Sequence, residues 1–126
     1  MNKVNTAIIF GISGQDGSYL SHFLLRKGYK VIGITRNKSI KNLYRLKKLN
    51  IIDQVTLVKG EALDLKFCQK IINSKIDEIY YLAGESSVVK SFQYPEISLK
   101  SNVFGLLNIL QTIRKKKYKI KLFNAG

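Results

Sequence analysis

Thr6-Ala7-Ile8-Ile9-Phe10-Gly11-Ile12-Ser13-Gly14-Gln15-Asp16-Gly17-Ser18-Tyr19-Leu20 is the stretch whose reading decides the fold. It opens with a short, unbroken apolar run of strand length. It passes at once into glycines spaced G-x-x-G-x-x-G and then into a helical pattern over 18–27, where Leu20, Phe23 and Leu24 share one stripe and Gly28 is a natural stop. Glycines at such a turn let the backbone bend tightly and bring its N–H groups close to a pyrophosphate. The positive end of a helix beginning near Ser18 points at the same place. A buried strand before the glycines and an amphipathic helix after them are the context that makes the triplet a dinucleotide-binding turn.

Working outward, four more apolar runs have strand length: 31–35 (VIGIT), 55–58 (VTLV), 79–82 (IYYL) and 121–123 (KLF), the last extended back to Ile120. Near-continuous runs suit strands covered on both faces, hence a parallel sheet. Helical patterns separate them. Residues 40–50 carry Leu43, Leu46 and Leu49; residues 64–74 carry Leu65, Cys68, Ile71 and Ile72 on one side. Residues 96–116 follow Pro95, a residue suited to a first helical turn, and repeat Val103, Leu106, Leu107, Leu110 and Ile113 at spacings of three and four. The order predicts an α/β fold, a Rossmann-type doubly wound parallel sheet that ends after about the fifth strand, in one domain over 1–126.

Composition agrees with a globular domain. Of the 126 residues, 45% are apolar and 24% charged, ordinary shares that exclude disordered and fibrous classes. No apolar run approaches membrane-spanning length, and the short stretch 4–12 ends in glycines and reads as a strand, not a signal peptide. The single cysteine, Cys68, excludes an internal disulfide framework and a cysteine-based zinc site; beside Phe67 and Ile71 it reads as a packed small hydrophobe. His22, the only histidine, falls on the first helix away from the glycine turn and is read as a surface or half-buried residue, so no metal site is expected. The net charge of +14 raises the question of nucleic acid. The excess is mostly lysine, with only Arg26, Arg36, Arg45 and Arg114 as arginines, and the lysines are dispersed apart from Lys115, Lys116, Lys117, Lys119 and Lys121 near an expected helix end. Cations are favourable there. The charge is read as a solvated lysine-rich surface, with neither nucleic acid nor membrane as a partner.

About 20 residues past its glycines, a dinucleotide-binding unit carries an acid for the ribose 2′-OH of NAD, or an arginine for the 2′-phosphate of NADP. Here the second strand runs into Thr35-Arg36-Asn37-Lys38-Ser39, with no acid. A guanidinium, an ammonium and a hydroxyl suit a phosphate, which favours NADP over NAD.

At these residues a family resemblance emerges. GISGQDGSYLSHFLLRKGY, followed by a strand ending in Thr35-Arg36, resembles the extended short-chain dehydrogenase/reductases, the NAD-dependent epimerase/dehydratase superfamily, and within it the GDP-mannose 4,6-dehydratase family. The opening G-x-x-G-Q-D-G-S-Y-L is fairly specific to that family. Further along, Leu82 to Val88, Ser91-Phe92 with Pro95-Glu96, and Phe123 to Gly126 are similar to its later stretches. The resemblance covers essentially the whole chain but only the front third or so of such enzymes. It implies that Gly11, Ile12, Ser13, Gly14, Gln15 and Asp16 hold the pyrophosphate while Gly17 packs helix against strand. It implies further that Arg36, Asn37, Lys38 and Ser39 surround the 2′-phosphate, that Glu61 with Ala62 faces the adenine, and that Leu82, Ala83, Gly84, Glu85 and Ser86 line the nicotinamide side. The chain departs from the family pattern at Glu61-Ala62 for Asp-Leu, Asn37 for a second arginine, Glu85 for glutamine and Ile97 for tyrosine.

The resemblance implies a hydro-lyase, with GDP-mannose as substrate, a cytoplasmic location and a homo-oligomeric full-length enzyme. Hydride leaves C4 of the hexose for NADP, water leaves across C5–C6, and the hydride returns at C6. The family's Tyr-x-x-x-Lys, Ser/Thr and Glu are expected beyond Gly126, as is the sugar-binding part, so no residue here is assigned a catalytic role and the chain alone is expected to be inactive. Tyr80 and Tyr81 do not begin a Tyr-x-x-x-Lys and read as strand residues. Two other readings stay open: a non-catalytic dinucleotide-binding module, and a sibling nucleotide-sugar epimerase or 4-reductase.

Overall fold

A computed structural model of the chain describes residues 3–39, 41–82 and 95–124, with side chains in the last segment from 102 onward. Among the described residues, five parallel strands form one sheet in the order β3-β2-β1-β4-β5: β1 (Thr6–Phe10), β2 (Lys30–Thr35), β3 (Thr56–Lys59), β4 (Glu78–Tyr81) and β5 (Lys121–Asn124). Between them lie α1 (Gln15–Arg26), α2 (Tyr44–Lys48), α3 (Leu65–Ile71) and α4 (Pro95–Lys115). This is the doubly wound parallel sheet that the alternating runs predict.

The strands are apolar throughout because both faces are covered. On one face Ala7, Ile9, Val31 and Leu82 pack with Leu24 of α1 and Leu43 and Leu46 at α2. On the other, Ile8, Phe10, Ile34, Ile79 and Tyr81 pack with Cys68 and Ile72 at α3 and Ile109 and Ile113 of α4. β1, at the centre, is buried from Ala7 to Phe10, and the strand order reverses beside it. A crevice forms at the carboxyl ends of strands where the order reverses, the usual ligand position in open sheets of this kind.

Helix bounds differ from the apolar patterns for local reasons. α1 starts at Gln15, directly after the second glycine, and stops as expected: Gly28 has φ 87°, and the N–H groups of Gly28 and Tyr29 donate to Leu25 and Leu24 in a Schellman closure. α3 begins after Asp64, whose side chain accepts from the Phe67 N–H at 3.1 Å, and ends where Ile72 turns extended. α2 is shorter than its pattern because the Asn42 and Leu43 N–H groups turn back to the Ser39 carbonyl, yet Leu43 and Leu46 are still buried. In α4 the side facing the sheet is Gly105, Ile109, Thr112 and Ile113; Val103, Leu107 and Leu110, from the expected stripe, are exposed together with Phe104. No helix among the described residues is long and apolar enough to cross a membrane.

At the opposite end of the sheet, Asp77 ties three strands together. Its carboxylate accepts from the Thr6 N–H at 2.8 Å and from Lys3 Nζ at 2.6 Å, its N–H donates to the Thr6 carbonyl, and its own carbonyl accepts from Lys121. The Lys3 ammonium and the Thr6 N–H hold the carboxyl below the usual range, against a smaller upward push from burial. A folded-state pKa below the unfolded one gives stability that is present above the unfolded value and lost as pH falls through the folded one. Asp77→Asn is expected to cost about 1 kcal/mol at neutral pH, with the gap to wild type closing as pH falls below the carboxylate range. Urea titrations from neutral to acid pH check this; a gap that does not narrow on acidification contradicts it.

Candidate functional site

The glycine turn lies at the carboxyl end of β1. Gly11 has φ 87°, in the left-handed region that glycine alone enters cheaply, and its N–H donates to the Ile34 carbonyl at 3.1 Å, fixing the turn against β2. Gly14 is the N-cap of α1 and has no side chain to cap with. The first N–H groups of the helix therefore point into the crevice without a side-chain acceptor, and the macrodipole adds partial positive charge. That combination fits a pyrophosphate.

The glycines differ in what a side chain would meet. A Cβ on Gly17 would stand 2.3 Å from the Gly11 oxygen and 2.8 Å from Ile12 Cα. A Cβ on Gly14 would meet only the Gly11 oxygen, at an ordinary 3.5 Å. Gly17 is thus needed for helix-on-turn packing, as expected, whereas Gly14 leaves space on the crevice side. Ile12 is fully buried, with its side chain over Gly33, and offers only its backbone to the turn. Ser13, Gln15 and Asp16 are at least partly exposed.

The β2 end sits beside this turn. Thr35 Oγ1 lies 3.5 Å from Ser13 Oγ and is bonded to the backbone of Asn37. Asn37, at the position of the second family arginine, uses its side-chain oxygen to accept from the Ser39 N–H at 2.8 Å, shaping the loop rather than extending from it. Arg36, Lys38 and Ser39 are exposed around it. No sequence pattern singles out Arg45, which reaches back from α2, Nη1 donating to the Ser13 carbonyl at 3.3 Å, with its guanidinium 4.6 Å over the Tyr44 ring. A cation at the glycine turn from 32 residues away depends on how α2 packs, which no local pattern reveals.

The third wall follows β3. Gly60 donates to the Thr35 carbonyl, and its missing Cβ makes room for the Phe67 ring, which would lie 2.3 Å away. Glu61 is exposed, while Ala62 is buried. Leu82 closes the β4 end, its N–H donating to the Phe10 carbonyl at 2.9 Å. Ala83, Gly84, Glu85 and Ser86 lie outside the described residues. The residues expected around one dinucleotide, as far as described, do fall on the carboxyl ends of β1, β2, β3 and β4.

Other titratable groups are structural. The Tyr29 and Tyr80 hydroxyls each donate at 2.6 Å to a different oxygen of Glu78, and burial followed by that contact raises Tyr80. Tyr81 donates to the Asn102 carbonyl and is raised by burial, with the Cys68 thiol adding to the shift and the Arg36 guanidinium opposing it. Burial pushes the Cys68 thiol up to about 11, the state of a packed hydrophobe rather than a nucleophile. His22 is half-buried on α1.

Known proteins share this pattern. The family model for GDP-mannose 4,6 dehydratase matches residues 8–126. The chain is 40% identical over 117 residues to the human GDP-mannose 4,6 dehydratase, covering 87% of this chain and 32% of that protein. It is 43% identical over 120 residues to the Drosophila melanogaster enzyme of that name, covering 90% of this chain and 30% of the relative. The chain thus spans just under a third of the length of these relatives. Among solved structures, UDP-glucose 4-epimerase from Bifidobacterium longum in complex with NAD+ and UDP is similar with a TM-score of 0.76 at 24% identity, over 97% of this chain and 37% of that one. The dTDP-glucose 4,6-dehydratase from Bacillus anthracis in complex with NAD gives a TM-score of 0.73 at 23% identity, over 96% of this chain and 37% of that one. At such identities the likeness is one of fold.

Proposed function

The chain belongs to the GDP-mannose 4,6-dehydratase family, and from that membership we propose that it is the dinucleotide-holding N-terminal part of an enzyme that dehydrates GDP-mannose, with NADP as the dinucleotide. What supports this reading is one arrangement: an uncapped helix N-terminus behind Gly11 and Gly14, flanked by Arg36, Lys38 and Arg45 with no acid at the end of β2.

Each residue has a task in that reading. The backbone N–H groups of Ser13, Gln15 and Asp16 hold the pyrophosphate, and the helix end favours its charge. Arg36 and Lys38 take the 2′-phosphate, the planar guanidinium matching it through paired hydrogen bonds. Arg45 adds positive charge next to Ser13, in place of the family arginine that Asn37 does not supply. Glu61 accepts from the adenine amino group, and Leu82 begins the wall toward the nicotinamide, continued by Ala83, Gly84, Glu85 and Ser86. NADP, when bound, supplies a hydride acceptor for the sugar. The relatives' name gives mannose as that sugar and GDP as its carrier; the cytoplasm and a homo-oligomer are the proposed setting.

Calorimetric titration tests the reading. NADP is expected to bind more tightly than NAD, and Arg36→Ala to weaken NADP by about tenfold to a hundredfold while leaving NAD nearly unchanged, the loss typical of a charge-assisted hydrogen bond. Equal affinities in the wild type, or a preference untouched by Arg36→Ala, would exclude NADP selection by these residues.

A further inference from the structure

One loop of the candidate site is held from a distance. After β3, residues 61–63 run past the crevice with the Glu61 side chain exposed and, among the described residues, in no hydrogen bond or ion pair. The backbone beneath it is pinned repeatedly. Gly60 is bonded to β2, the Asp64 N–H donates to the Glu61 carbonyl at 3.2 Å, and the Cys68 thiol donates to the Ala62 carbonyl at 3.4 Å. From the other side, Asn108 of α4 donates through Nδ2 to the Ala62 carbonyl at 2.8 Å and to the Leu63 carbonyl at 3.1 Å. Two carbonyl acceptors can be met only by the NH2 of the amide, so its orientation is fixed by the contacts. Gly105, one turn earlier, permits the approach: a Cβ there would stand 2.3 Å from the Tyr81 hydroxyl and 3.1 Å from Ala62 Cβ.

We propose that Asn108 is a positioning residue: by gripping the Ala62 and Leu63 carbonyls from α4, it fixes the backbone that aims the Glu61 carboxylate at the amino group of a bound adenine. The inference rests on the dinucleotide reading above and adds to it the residue that sets base selectivity. A carboxylate discriminates an amino group from a carbonyl oxygen only if it is held in place. A loop free to shift lets it swing to solvent, and the discrimination is lost while phosphate contacts persist.

The probes are NADP and its hypoxanthine analogue, in which a carbonyl oxygen replaces the adenine amino group. The wild-type chain is expected to prefer NADP by about tenfold or more, the worth of one charge-assisted hydrogen bond and the repulsion that replaces it. Asn108→Asp, of equal size but without the two donors, and Asn108→Ser are expected to bring that ratio to within about twofold while affinity for the analogue is retained. Thermal unfolding of each variant shows which of them is folded, and either one suffices. A purely structural role would lower the melting point and weaken both ligands in step, leaving the ratio intact; that result overturns the inference. So does a wild-type chain that binds both dinucleotides equally well. A wild-type chain that binds neither overturns the dinucleotide reading and this inference with it.

Discussion

A Gly17→Val variant is expected to lose about 3 kcal/mol of stability or more, a large share of what a domain of this size holds. The first side-chain carbon would lie 2.3 Å from the Gly11 carbonyl oxygen, 2.8 Å from Ile12 Cα and 3.0 Å from Ile12 C. All three are backbone atoms of a turn that is itself bonded to β2 through the Gly11 and Ile12 N–H groups. No flexible side chain can move aside, so α1 must lift. Lifting it withdraws Ser18, Ser21 and Leu24, each at most 3% exposed, from the central strands. Overpacking a core usually costs about 1–3 kcal/mol, and backbone-against-backbone overlap with loss of a helix face lies at or above the top of that range. A domain of this size has roughly 5–15 kcal/mol in all. Circular dichroism and urea unfolding check the expectation: a midpoint equal to that of the wild type would mean that α1 does not sit where the structure has it. Gly17→Ala carries the same carbon and is expected to show the same effect more mildly.

The contrast between Gly17 and Phe23 explains which parts of the fold the sequence reveals. The β1–turn–α1 unit is legible because a strand buried on both faces and a G-x-x-G-x-x-G turn are local signals. Which side of α1 meets the sheet is not legible from hydrophobicity. The apolar stripe suggested Leu20, Phe23 and Leu24, yet Phe23 is 54% exposed, under Lys27, and the inward face is Gly17, Ser18, Ser21 and Leu24. Close approach selects small residues, and size counts against Phe23 where hydrophobicity counts for it. α4 repeats the lesson: it is apolar on more than one side, and Gly105 and Asn108, not the leucines, decide which side faces in. The candidate site divides in the same way. Gly11, Gly14, Arg36 and Lys38 are readable from their spacing, whereas Arg45 and Asn108 act across 32 and 46 residues through the packing of α2 and α4. Position puts Asn37 beside the phosphate, and its amide oxygen also accepts from the Ser39 N–H. Nothing in a run of surface residues announces which side chain turns back on its own loop.

Gly14→Val should do the reverse of Gly17→Val: keep the fold and remove the ligand. Gly14 has φ −74° and ψ 172°, an extended conformation open to any residue, so the substitution carries no backbone strain. Its Cβ would touch only the Gly11 oxygen, at 3.5 Å. The melting point is therefore expected to stay within about 2 °C of the wild type. The isopropyl group would stand over the uncapped end of α1, in the space where a pyrophosphate must come within hydrogen-bond distance of the backbone. Neither rotation of the side chain nor a small shift of the ligand restores those contacts, because the N–H groups are fixed by the helix. Losing several charge-assisted hydrogen bonds at once corresponds to a fall in NADP affinity of at least about a hundredfold. NAD should be lost equally, since both dinucleotides carry the same pyrophosphate, and that sets this variant apart from Arg36→Ala, which removes the preference alone. Titration of the two cofactors into folded Gly14→Val protein decides the matter. Binding at wild-type strength would place the dinucleotide elsewhere on the sheet, whatever the glycines suggest. A variant that loses both cofactors while melting like the wild type would locate the pyrophosphate at the amino end of α1, by the difference between two glycines three residues apart.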